Sequence, residues 1–398
     1  MAVVGVIAEY NPFHRGHAWQ LAQLRRRLGE DTAVVVCMSG NFVQRGSFAI
    51  LNKHARAEAA LRGGVDLVLE LPSPWSAATA ERFAQGGVAV LAAAGVVTHL
   101  AFGCECAALE PLQTVADCLD SGLFHEALRR RSREGTTFAA ARQEAVRDLA
   151  GDAADCLSFP NNALAVEYLR ALKACKAPII PAALPRTGAA HDSALESSCP
   201  SASAVRRKIF LNADWRTALP QDTAAIVDRE ISAGRAPVHM AHCQRAVLAQ
   251  LRRMEEEEFR PYDGGNEGLY HRFYEAVRAS ASLEDILLGA KTKRYTLARL
   301  RRLLLHSYLG LPHAAQGDTP PYLRVLGATA QGRILLRQMR KTAARPVLTK
   351  PAHIRRLDLE ARRVFSQEAR CTDLYTLAYP NLSQAAPGSE YTAAPVML

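Results

Sequence analysis

The sequence predicts an α/β fold, in which a doubly wound parallel sheet is followed by a mainly helical, basic domain. Over residues 1–190, short apolar runs alternate with longer amphipathic segments, which is the rhythm of β-α-β units with right-handed crossovers. Beyond a small, polar segment at residues 188–203, almost every segment has helical spacing. We therefore predict domains at residues 1–190 and 191–383, and a flexible tail at residues 384–398, which are rich in Pro, Gly, Ser and Ala.

Individual elements follow from the spacing of apolar residues. Continuous apolar runs, typical of strands buried on both faces, lie at residues 3–8 and 33–37. Further strands are predicted at 66–71 and 98–102, and a short one is indicated at 179–180. Helical spacing in the first half predicts helices at residues 17–28, 53–62 and 77–94. In the second half it predicts helices at residues 204–211, 223–233, 245–259, 268–281, 283–290 and 296–309.

The positive charge is concentrated in the second half of the chain. The 398 residues include 49 Lys and Arg against 39 Asp and Glu, but residues 1–190 hold 19 basic and 18 acidic side chains. Residues 286–357 contain 15 Lys and Arg, with Asp318 as their one acid. Such a segment repels itself unless a polyanion neutralises it, which indicates a nucleic acid. We predict RNA contacts by Lys291, Lys293, Arg294, Arg299, Arg301 and Arg302.

Aromatic residues interleave with these cations. Tyr295, Tyr308 and Tyr322 are predicted to stack on unpaired bases, as RNA loops are usually read. The alternative is a solvated helical face, although such a face normally includes glutamates for ion pairs within the helix. Membrane adsorption is disfavoured because no wide apolar face lies opposite the charge. No apolar run approaches the roughly 20 residues of a membrane span, and we expect a cytoplasmic protein with reduced cysteines.

Two clusters of metal-ligand residue types do not predict a metal site. Glu255–Glu258 are consecutive, so they cannot share one helix face, and we expect them to be solvated. Cys104 and Cys106 have one residue between them rather than the two of a zinc motif, and the sequence has no second pair. We therefore predict that the protein itself holds no metal.

An H-x-G-H string begins the first predicted helix, directly after the first strand. His14, Gly16 and His17 lie where the free N–H groups of a helix N-terminus attract anions. Histidine donors would add hydrogen bonds to phosphate oxygens, and Gly16 would let a nucleotide approach the backbone. This position suits nucleotidyl transfer, in which charge stabilisation matters more than acid–base chemistry. The alternative is an ordinary pair of loop histidines.

A second string, Ser-Ala-Ser-Ala-Val-Arg at residues 201–206, ends the polar segment and opens a helix. A capping serine followed one turn later by a cation is typical of a phosphate clamp, so we predict that Ser203 and Arg206 contact phosphate. A capped helix with solvated arginines is the alternative interpretation.

Together these strings resemble the two signatures of the HIGH-type nucleotidyltransferase superfamily. The longer run IAEYNPFHRGH at residues 7–17 resembles, more specifically, the tRNA(Met) cytidine acetate ligases. Further strings agree with that family in order along the chain: MSGNFVQRG at 38–46, LELP at 69–72, FG at 102–103, PNN at 160–162, KTKRYT at 291–296 and PYLRVLG at 321–327.

The resemblance implies a Rossmann-like sheet, ATP with Mg²⁺ held through its phosphates, and acetate. The family forms acetyl-adenylate and acetylates the N4 amine of the wobble cytidine of elongator tRNA(Met). His14 and His17 would be catalytic, and no protein partner is implied. The implied ATP-binding residues are Ile7, Ala8, Glu9, Tyr10, Asn11, Pro12, Phe13, His14, Arg15, Gly16, His17, Ala18, Trp19, Gln20, Gly103, Asn161 and Arg186. A small-molecule adenylyltransferase and a non-catalytic tRNA-binding protein are the alternative functions.

Overall fold

The computed structural model describes residues 1–106, 108–132, 138–185, 201–264, 268–313 and 317–398. Its strands are β1 (Val3–Ala8), β2 (Ala33–Ser39), β3 (Phe42–Val43), β4 (Ser47–Phe48), β5 (Leu67–Leu71), β6 (His99–Cys104), β7 (Ile180–Pro185), β8 (Leu323–Ala328), β9 (Val347–Leu348) and β10 (Val396–Met397). Its α-helices are α1 (Arg15–Leu28), α2 (Lys53–Arg62), α3 (Ser73–Ser76), α4 (Ala80–Ala93), α5 (Glu110–Leu119), α6 (Gly122–Ser132), α7 (Phe138–Ala150), α8 (Pro160–Cys175), α9 (Ala202–Phe210), α10 (Gln221–Ser232), α11 (Gln244–Arg253), α12 (Arg260–Asp263), α13 (Leu269–Ala279), α14 (Leu283–Ala290), α15 (Leu297–Leu309), α16 (Ala330–Thr342) and α17 (Leu359–Thr376).

A mostly parallel sheet lies at the centre of the fold, with strand order β10-β8-β5-β2-β1-β6-β7 and with β9 paired to β8. β1 is parallel to both of its neighbours, β2 and β6, and the chain then adds β5 on one side and β7 on the other. β8 is antiparallel to β5. Since the strands are added outward in both directions from β1, the sheet is doubly wound and the predicted α/β class is confirmed.

Apolar sequence explains why the central strands are covered on both faces. In β1, Val3 and Ile7 belong to one core cluster, whereas Val4 and Val6 belong to the cluster on the other side of the sheet. Alternate side chains of a strand point to opposite faces, so a strand such as β1 that lies between two cores has apolar residues on both faces. The strands predicted at 3–8, 33–37, 66–71, 98–102 and 179–180 coincide with β1, β2, β5, β6 and the start of β7.

The predicted helices also coincide with helices of the structure, except that one predicted helix is divided into two elements. The segment predicted at 245–259 is α11 followed by a 3-10 turn at Glu256–Phe259. The other predicted helices correspond to α1, α2, α4, α9, α10, α13, α14 and α15. Within the described ranges, no helix combines the length and the apolar character needed to cross a membrane.

The second half of the chain adds strands to the sheet of the first half. β8 pairs with β5, and β10, close to the end of the chain, pairs with β8. Glu390 is buried, with 1 % of its surface exposed. Residues 384–398 therefore differ from the flexible tail that their composition predicts, because their last strand lies against the sheet. The division into two domains stays a prediction.

The helices of the second half pack around a core of their own, and a hairpin from the first half inserts into it. We call the hairpin formed by β3 and β4 the linking hairpin (residues 42–48). Its Phe42 and Phe48 pack edge to face, with ring centroids 4.9 Å apart, and belong to the same cluster as Leu300, Leu304 and Tyr308 of α15. The hairpin thereby anchors α15, which we call the basic helix, to the carboxyl end of the sheet.

Candidate functional site

Both histidines of the H-x-G-H string lie at the start of α1, beyond the carboxyl end of β1. His14 is the N-cap residue, and its Nδ1 accepts a hydrogen bond from Gly16 N at 3.1 Å. Nδ1 of His17 accepts a hydrogen bond from His14 N at 3.2 Å. The two imidazole rings are stacked, with centroids 3.7 Å apart. The structure therefore brings both predicted catalytic residues to one helix N-terminus.

These hydrogen bonds determine which ring nitrogen carries the hydrogen. A nitrogen that accepts from a backbone N–H has no hydrogen of its own, so the neutral rings of His14 and His17 carry theirs on Nε2. Each Nε2–H is a donor, and the N-terminus of α1 adds partial positive charge. The pair is therefore suited to stabilising an anion rather than to accepting a proton at Nδ1.

The packing of the His14 ring gives a second reason, not evident from the sequence, why residue 16 is a glycine. A Cβ at this position would lie 2.9 Å from Cε1 and 3.0 Å from Nδ1 of His14. Contacts this short would displace the imidazole from its capping position. Besides permitting a nucleotide to approach, glycine is therefore required here to leave room for the His14 ring.

Arg56, which the sequence analysis missed, holds the carboxyl ends of β1 and β2 together. Its buried guanidinium donates hydrogen bonds to the carbonyl oxygens of Glu9, Ser39, Gly40 and Leu51. A planar fork of five N–H donors can satisfy several carbonyls at once. Burial lowers the pKa of Arg56 to about 10, so the side chain stays charged at neutral pH. The sequence does contain one indication of this role, because Arg56 lies on the inner face of the Ala-rich helix predicted at residues 53–62.

The second string meets the first at Asn11. Nη1 of Arg206 donates to the carbonyl oxygen of Asn11 at 2.7 Å, and its Nη2 donates to Ser203 Oγ at 3.2 Å. The Oδ1 atom of Asn11 accepts from Ile50 N at 2.8 Å, which fixes the turn before α1. Burial lowers the pKa of Arg206, while the nearby Glu9 opposes that shift. Two motifs separated by almost 200 residues thus form one cationic site.

The loop after β6 is held by the N-terminus of α8. Gly103 lies in β6, and the backbone N–H of Glu105 donates to Asn162 Oδ1 at 2.8 Å. The Glu105 carboxylate accepts from Asn161 Nδ2 at 2.5 Å and from Asn162 N at 2.9 Å. Asn162, which is only 1 % exposed, therefore positions this loop. It is part of the PNN string at 160–162 but is not among the ATP-binding residues that the resemblance implies. Arg186 lies outside the described residues.

The remaining residues implied for ATP divide between buried supports and exposed side chains. Tyr10 and Phe13 are buried, and the Tyr10 ring packs edge to face on His17 with centroids 4.7 Å apart. Arg15 is exposed and donates through Nε to the carbonyl oxygen of Leu219 at 3.4 Å. Trp19 is also exposed. The others belong to β1, the following turn or α1: Ile7, Ala8, Pro12, Ala18 and Gln20.

The predicted RNA-binding residues fall into two groups. Arg299 pairs with the buried carboxylate of Asp263 at 3.0 Å. Arg302 is partly buried, donates to the carbonyl oxygen of Gln44 at 3.5 Å, and has a pKa lowered to about 10 by burial and by Arg299. Both therefore have a structural role in holding α15. The exposed members are Lys291, Lys293, Arg294 and Arg301.

The structure corrects the role predicted for the tyrosines. Tyr295 and Tyr308 are buried in the helical core, and Tyr322 is fully buried beside the sheet. Their rings belong to the cores and do not face solvent, so they are not the residues that stack on unpaired bases. Regular spacing of aromatics among cations did not distinguish the inner face of each element from its outer face.

The linking hairpin connects the histidine site to the basic helix. At one end, Gln44 N donates to Glu9 Oε1 at 3.0 Å. At the other end, Gly46 has a φ of +74°, and a Cβ there would lie 2.6 Å from the backbone of Arg301 and Arg302. The hairpin turn and α15 are therefore in direct backbone contact, which only a glycine permits. Arg45, exposed between them, is close enough to Arg206 to influence its pKa.

Comparison with known proteins shows the family to which this chain is similar. The family model described as HIGH Nucleotidyl Transferase matches residues 1–389. A curated relative from Syntrophomonas wolfei, named tRNA(Met) cytidine acetate ligase, is 36 % identical over 100 % of this chain and 99 % of its own length. A relative of the same name from Caldanaerobacter subterraneus is 37 % identical over 96 % of this chain and 97 % of its own length.

Two crystal structures of TmcAL from Thermotoga maritima are similar to this chain over the full length of both proteins, at 33 % sequence identity. The apo structure superposes with a TM-score of 0.95. The structure bound with alpha-thio ATP superposes with a TM-score of 0.93. The fold described above is therefore shared with a protein that binds an ATP analogue.

Proposed function

Because this chain belongs to the HIGH nucleotidyl transferase family, and within it to the tRNA(Met) cytidine acetate ligases, we propose that it is an ATP-dependent ligase that acetylates tRNA(Met). The observation that carries this proposal is the contact between the two signatures, where Arg206 donates to the carbonyl oxygen of Asn11 beside the histidines. That contact brings Arg206 beside the turn that precedes His14, His17 and the N-terminus of α1. The carboxyl end of a strand beside a helix N-terminus is the usual ligand position in such sheets, which supports the proposal.

The first step is the attack of an acetate oxygen on the α-phosphorus of ATP, which forms acetyl-adenylate and releases pyrophosphate. Charge builds on the phosphate oxygens during this step, and the Nε2–H groups of His14 and His17, whose Nδ1 atoms accept backbone hydrogen bonds, would stabilise it. Arg206 adds positive charge next to them, and Arg56 keeps the carboxyl ends of β1 and β2 in register. Positioning and electrostatics therefore supply the catalysis.

In the second step, the N4 amine of the wobble cytidine attacks the acetyl carbon, and AMP leaves as the amine loses a proton. Orientation of the amine against the activated acyl group supplies much of the rate in a reaction of this kind. The tRNA backbone would be held by Arg45 on the linking hairpin and by the exposed cations of the basic segment (residues 286–357), which are Lys291, Lys293, Arg294 and Arg301. Mg²⁺, held through the ATP phosphates, would neutralise charge on the leaving pyrophosphate. Acetate, ATP and tRNA(Met) are all cytoplasmic molecules, so we propose that the protein is cytoplasmic.

The function is tested with purified protein, labelled acetate, ATP and a tRNA(Met) transcript. We expect label in the RNA only when ATP is present, and on the N4 amine of the wobble cytidine after nuclease digestion. An otherwise identical transcript with uridine at the wobble position is the matched control and should remain unlabelled. Acetate-independent adenylylation of a small nucleotide, without label in RNA, would instead identify the small-molecule adenylyltransferase.

Replacing Arg206 with alanine should weaken ATP binding by about tenfold or more. The change removes a charge-assisted hydrogen bond to the turn before α1, and such bonds contribute roughly 1.5–3 kcal/mol. The dissociation constant of a non-hydrolysable ATP analogue, measured by calorimetry, tests this expectation. Arg207→Ala is the matched control, because Arg207 is the neighbouring residue and is exposed. Equal affinities of the two variants would remove Arg206 from the nucleotide site.

The double substitution Lys293→Ala/Arg294→Ala should weaken tRNA binding and reduce its salt dependence. Both residues are exposed at the entrance to α15, and the slope of log K against log salt falls by about one for each lost phosphate contact. Filter binding over a series of KCl concentrations measures the slope. Arg129→Ala/Arg130→Ala, which removes the same charge from α6, is the control. A slope equal to that of the control would exclude the segment at 291–296 from the RNA surface.

A further inference from the structure

An exposed group of three aromatic rings lies one helical turn beyond the phosphate clamp. We call Phe210, His239 and His242 the aromatic patch. The Phe210 ring centroid is 5.4 Å from that of His239 and 6.5 Å from that of His242, and all three side chains are exposed. Phe210 has 40 % of its surface exposed, so its ring is open to solvent although it packs against the two imidazoles. None of the chemistry described above uses these residues.

The position of the patch is fixed by α9. Arg206 and Phe210 are four residues apart on that helix, so they share one face and are separated by one turn of about 5.4 Å. Since Arg206 donates to the carbonyl oxygen of Asn11, Phe210 lies one turn along α9 from the residue that contacts the histidine turn. The patch is therefore adjacent to the place where the acetyl group is activated.

The other side of the patch adjoins the basic helix. Burial is the main cause of the lowered pKa of His239, and the charges of His242 and Arg301 lower it further, so Arg301 is within electrostatic range of that ring. Arg301 is exposed, and its backbone contacts Gly46 of the linking hairpin. Nδ1 of His239 accepts from Ala241 N at 3.2 Å, so the ring has a fixed orientation. Aromatic surface thus continues into cationic surface on the side that leads to α15.

We propose that the aromatic patch stacks on an unpaired base of the tRNA anticodon loop and so presents the wobble cytidine to the acetyl-adenylate. This inference rests on the proposed function. Exposed rings beside arginines are the combination that binds single-stranded RNA, because rings stack on bases and the cations hold the backbone. The buried tyrosines of the basic segment cannot perform this role, whereas the patch is exposed between the two sites.

The test combines Phe210→Ala with tRNA(Met) transcripts that carry an abasic residue at each position of the anticodon loop in turn. Wild-type protein should lose about tenfold in affinity when the stacked base is absent, and Phe210→Ala should lose about the same with intact tRNA. The variant should then be insensitive to the abasic substitution at that one position, since the same contact is already missing. Phe210→Trp should restore the affinity, and Leu211→Ala, an exposed neighbour, should leave it unchanged.

The outcomes separate this inference from the function on which it rests. If Phe210→Ala and every abasic substitution have independent, additive effects, the patch does not stack on a loop base and the inference is overturned. If wild-type protein places no label from acetate in tRNA, the proposed function itself fails. If Phe210→Ala still acetylates tRNA and binds intact tRNA with unchanged affinity, the inference about the aromatic patch is overturned but the proposed function is not. Acetate-dependent ATP–pyrophosphate exchange by Phe210→Ala should equal that of wild type, because the patch contacts RNA and not ATP.

Discussion

Replacing His17 with alanine should lower acetate-dependent ATP–pyrophosphate exchange by a factor of about 100 to 1000, the usual cost of removing one preorganised donor from a developing anion. His17 holds its Nε2–H at the N-terminus of α1 because its Nδ1 accepts from His14 N. The loss should appear in the rate constant of adenylate formation more than in the affinity for ATP, since the charge on the phosphate grows as the reaction proceeds.

His17→Asn separates the catalytic donor from the helix cap. An asparagine Oδ1 lies near the position of imidazole Nδ1, so it can still accept from His14 N, but asparagine has no atom at the position of Nε2. His17→Asn should therefore be as inactive in exchange as His17→Ala while unfolding at the wild-type temperature. Both variants should bind tRNA(Met) as wild type does. A His17→Asn protein with near-wild-type exchange would show that the histidine acts only as a capping residue.

Much of the nucleotide half could be predicted from sequence because its signals are local. The apolar run of β1, the H-x-G-H string and the first turn of α1 are contiguous, and the structure places them as their order requires. Ser203 and Arg206 were selected from a capping pattern, which is also local. Their contact with Asn11 was not predictable from spacing alone, because it depends on how α9 packs across a gap of almost 200 residues.

The predictions were wrong where a residue type can lie either at the surface or in the interior of the protein. Arg324 was counted with the solvent-facing cations, but it lies in β8 and is buried beside Glu70 and Glu390. A strand that contains an arginine does not have the continuous apolar pattern of a buried strand, so β8 was missed. The acids that neutralise Arg324 are distant in sequence, and only the tertiary structure brings them together.

A buried cluster of charges fastens the C-terminal segment to the sheet. Lys53 Nζ contacts the carboxylates of Glu70 at 2.5 Å, Glu390 at 2.7 Å and Glu368 at 3.3 Å, and all four side chains are at most 1 % exposed. Arg324 pairs with Glu70 and Glu390. Three acids therefore face two cations. Burial and the repulsion of Glu70 raise the pKa of Glu368 despite the attraction of Lys53, so Glu368 is protonated more readily than Glu70.

Replacing Lys53 with methionine should reduce the free energy of unfolding by about 3–5 kcal/mol, the usual effect of removing one partner from a buried ion pair. Methionine fills a similar volume, so the loss comes from leaving the carboxylates of Glu70 and Glu390 with Arg324 alone. Urea denaturation followed by circular dichroism at pH 7 measures the loss. Lys173→Met, which breaks the exposed pair with Asp117, should leave the denaturation midpoint unchanged. Adding Glu368→Gln to Lys53→Met should not restore stability fully, because two charged acids remain.

The pH dependence of unfolding distinguishes this electrostatic account from a simple packing defect. Burial opposes ionisation of Glu70, but the attraction of Lys53 and Arg324 exceeds that effect and lowers its pKa to about 2. An acid whose folded pKa lies below its unfolded value of about 4.3 stabilises the protein above that value and loses the contribution as the pH falls towards 2. Lys53→Met should reverse the sign, because Arg324 alone then faces Glu70 and Glu390, so burial raises the pKa of these acids and their protonation relieves the cost. The stability difference between wild type and Lys53→Met should therefore narrow progressively as the pH falls from 7 towards 2, whereas a packing defect would keep it constant.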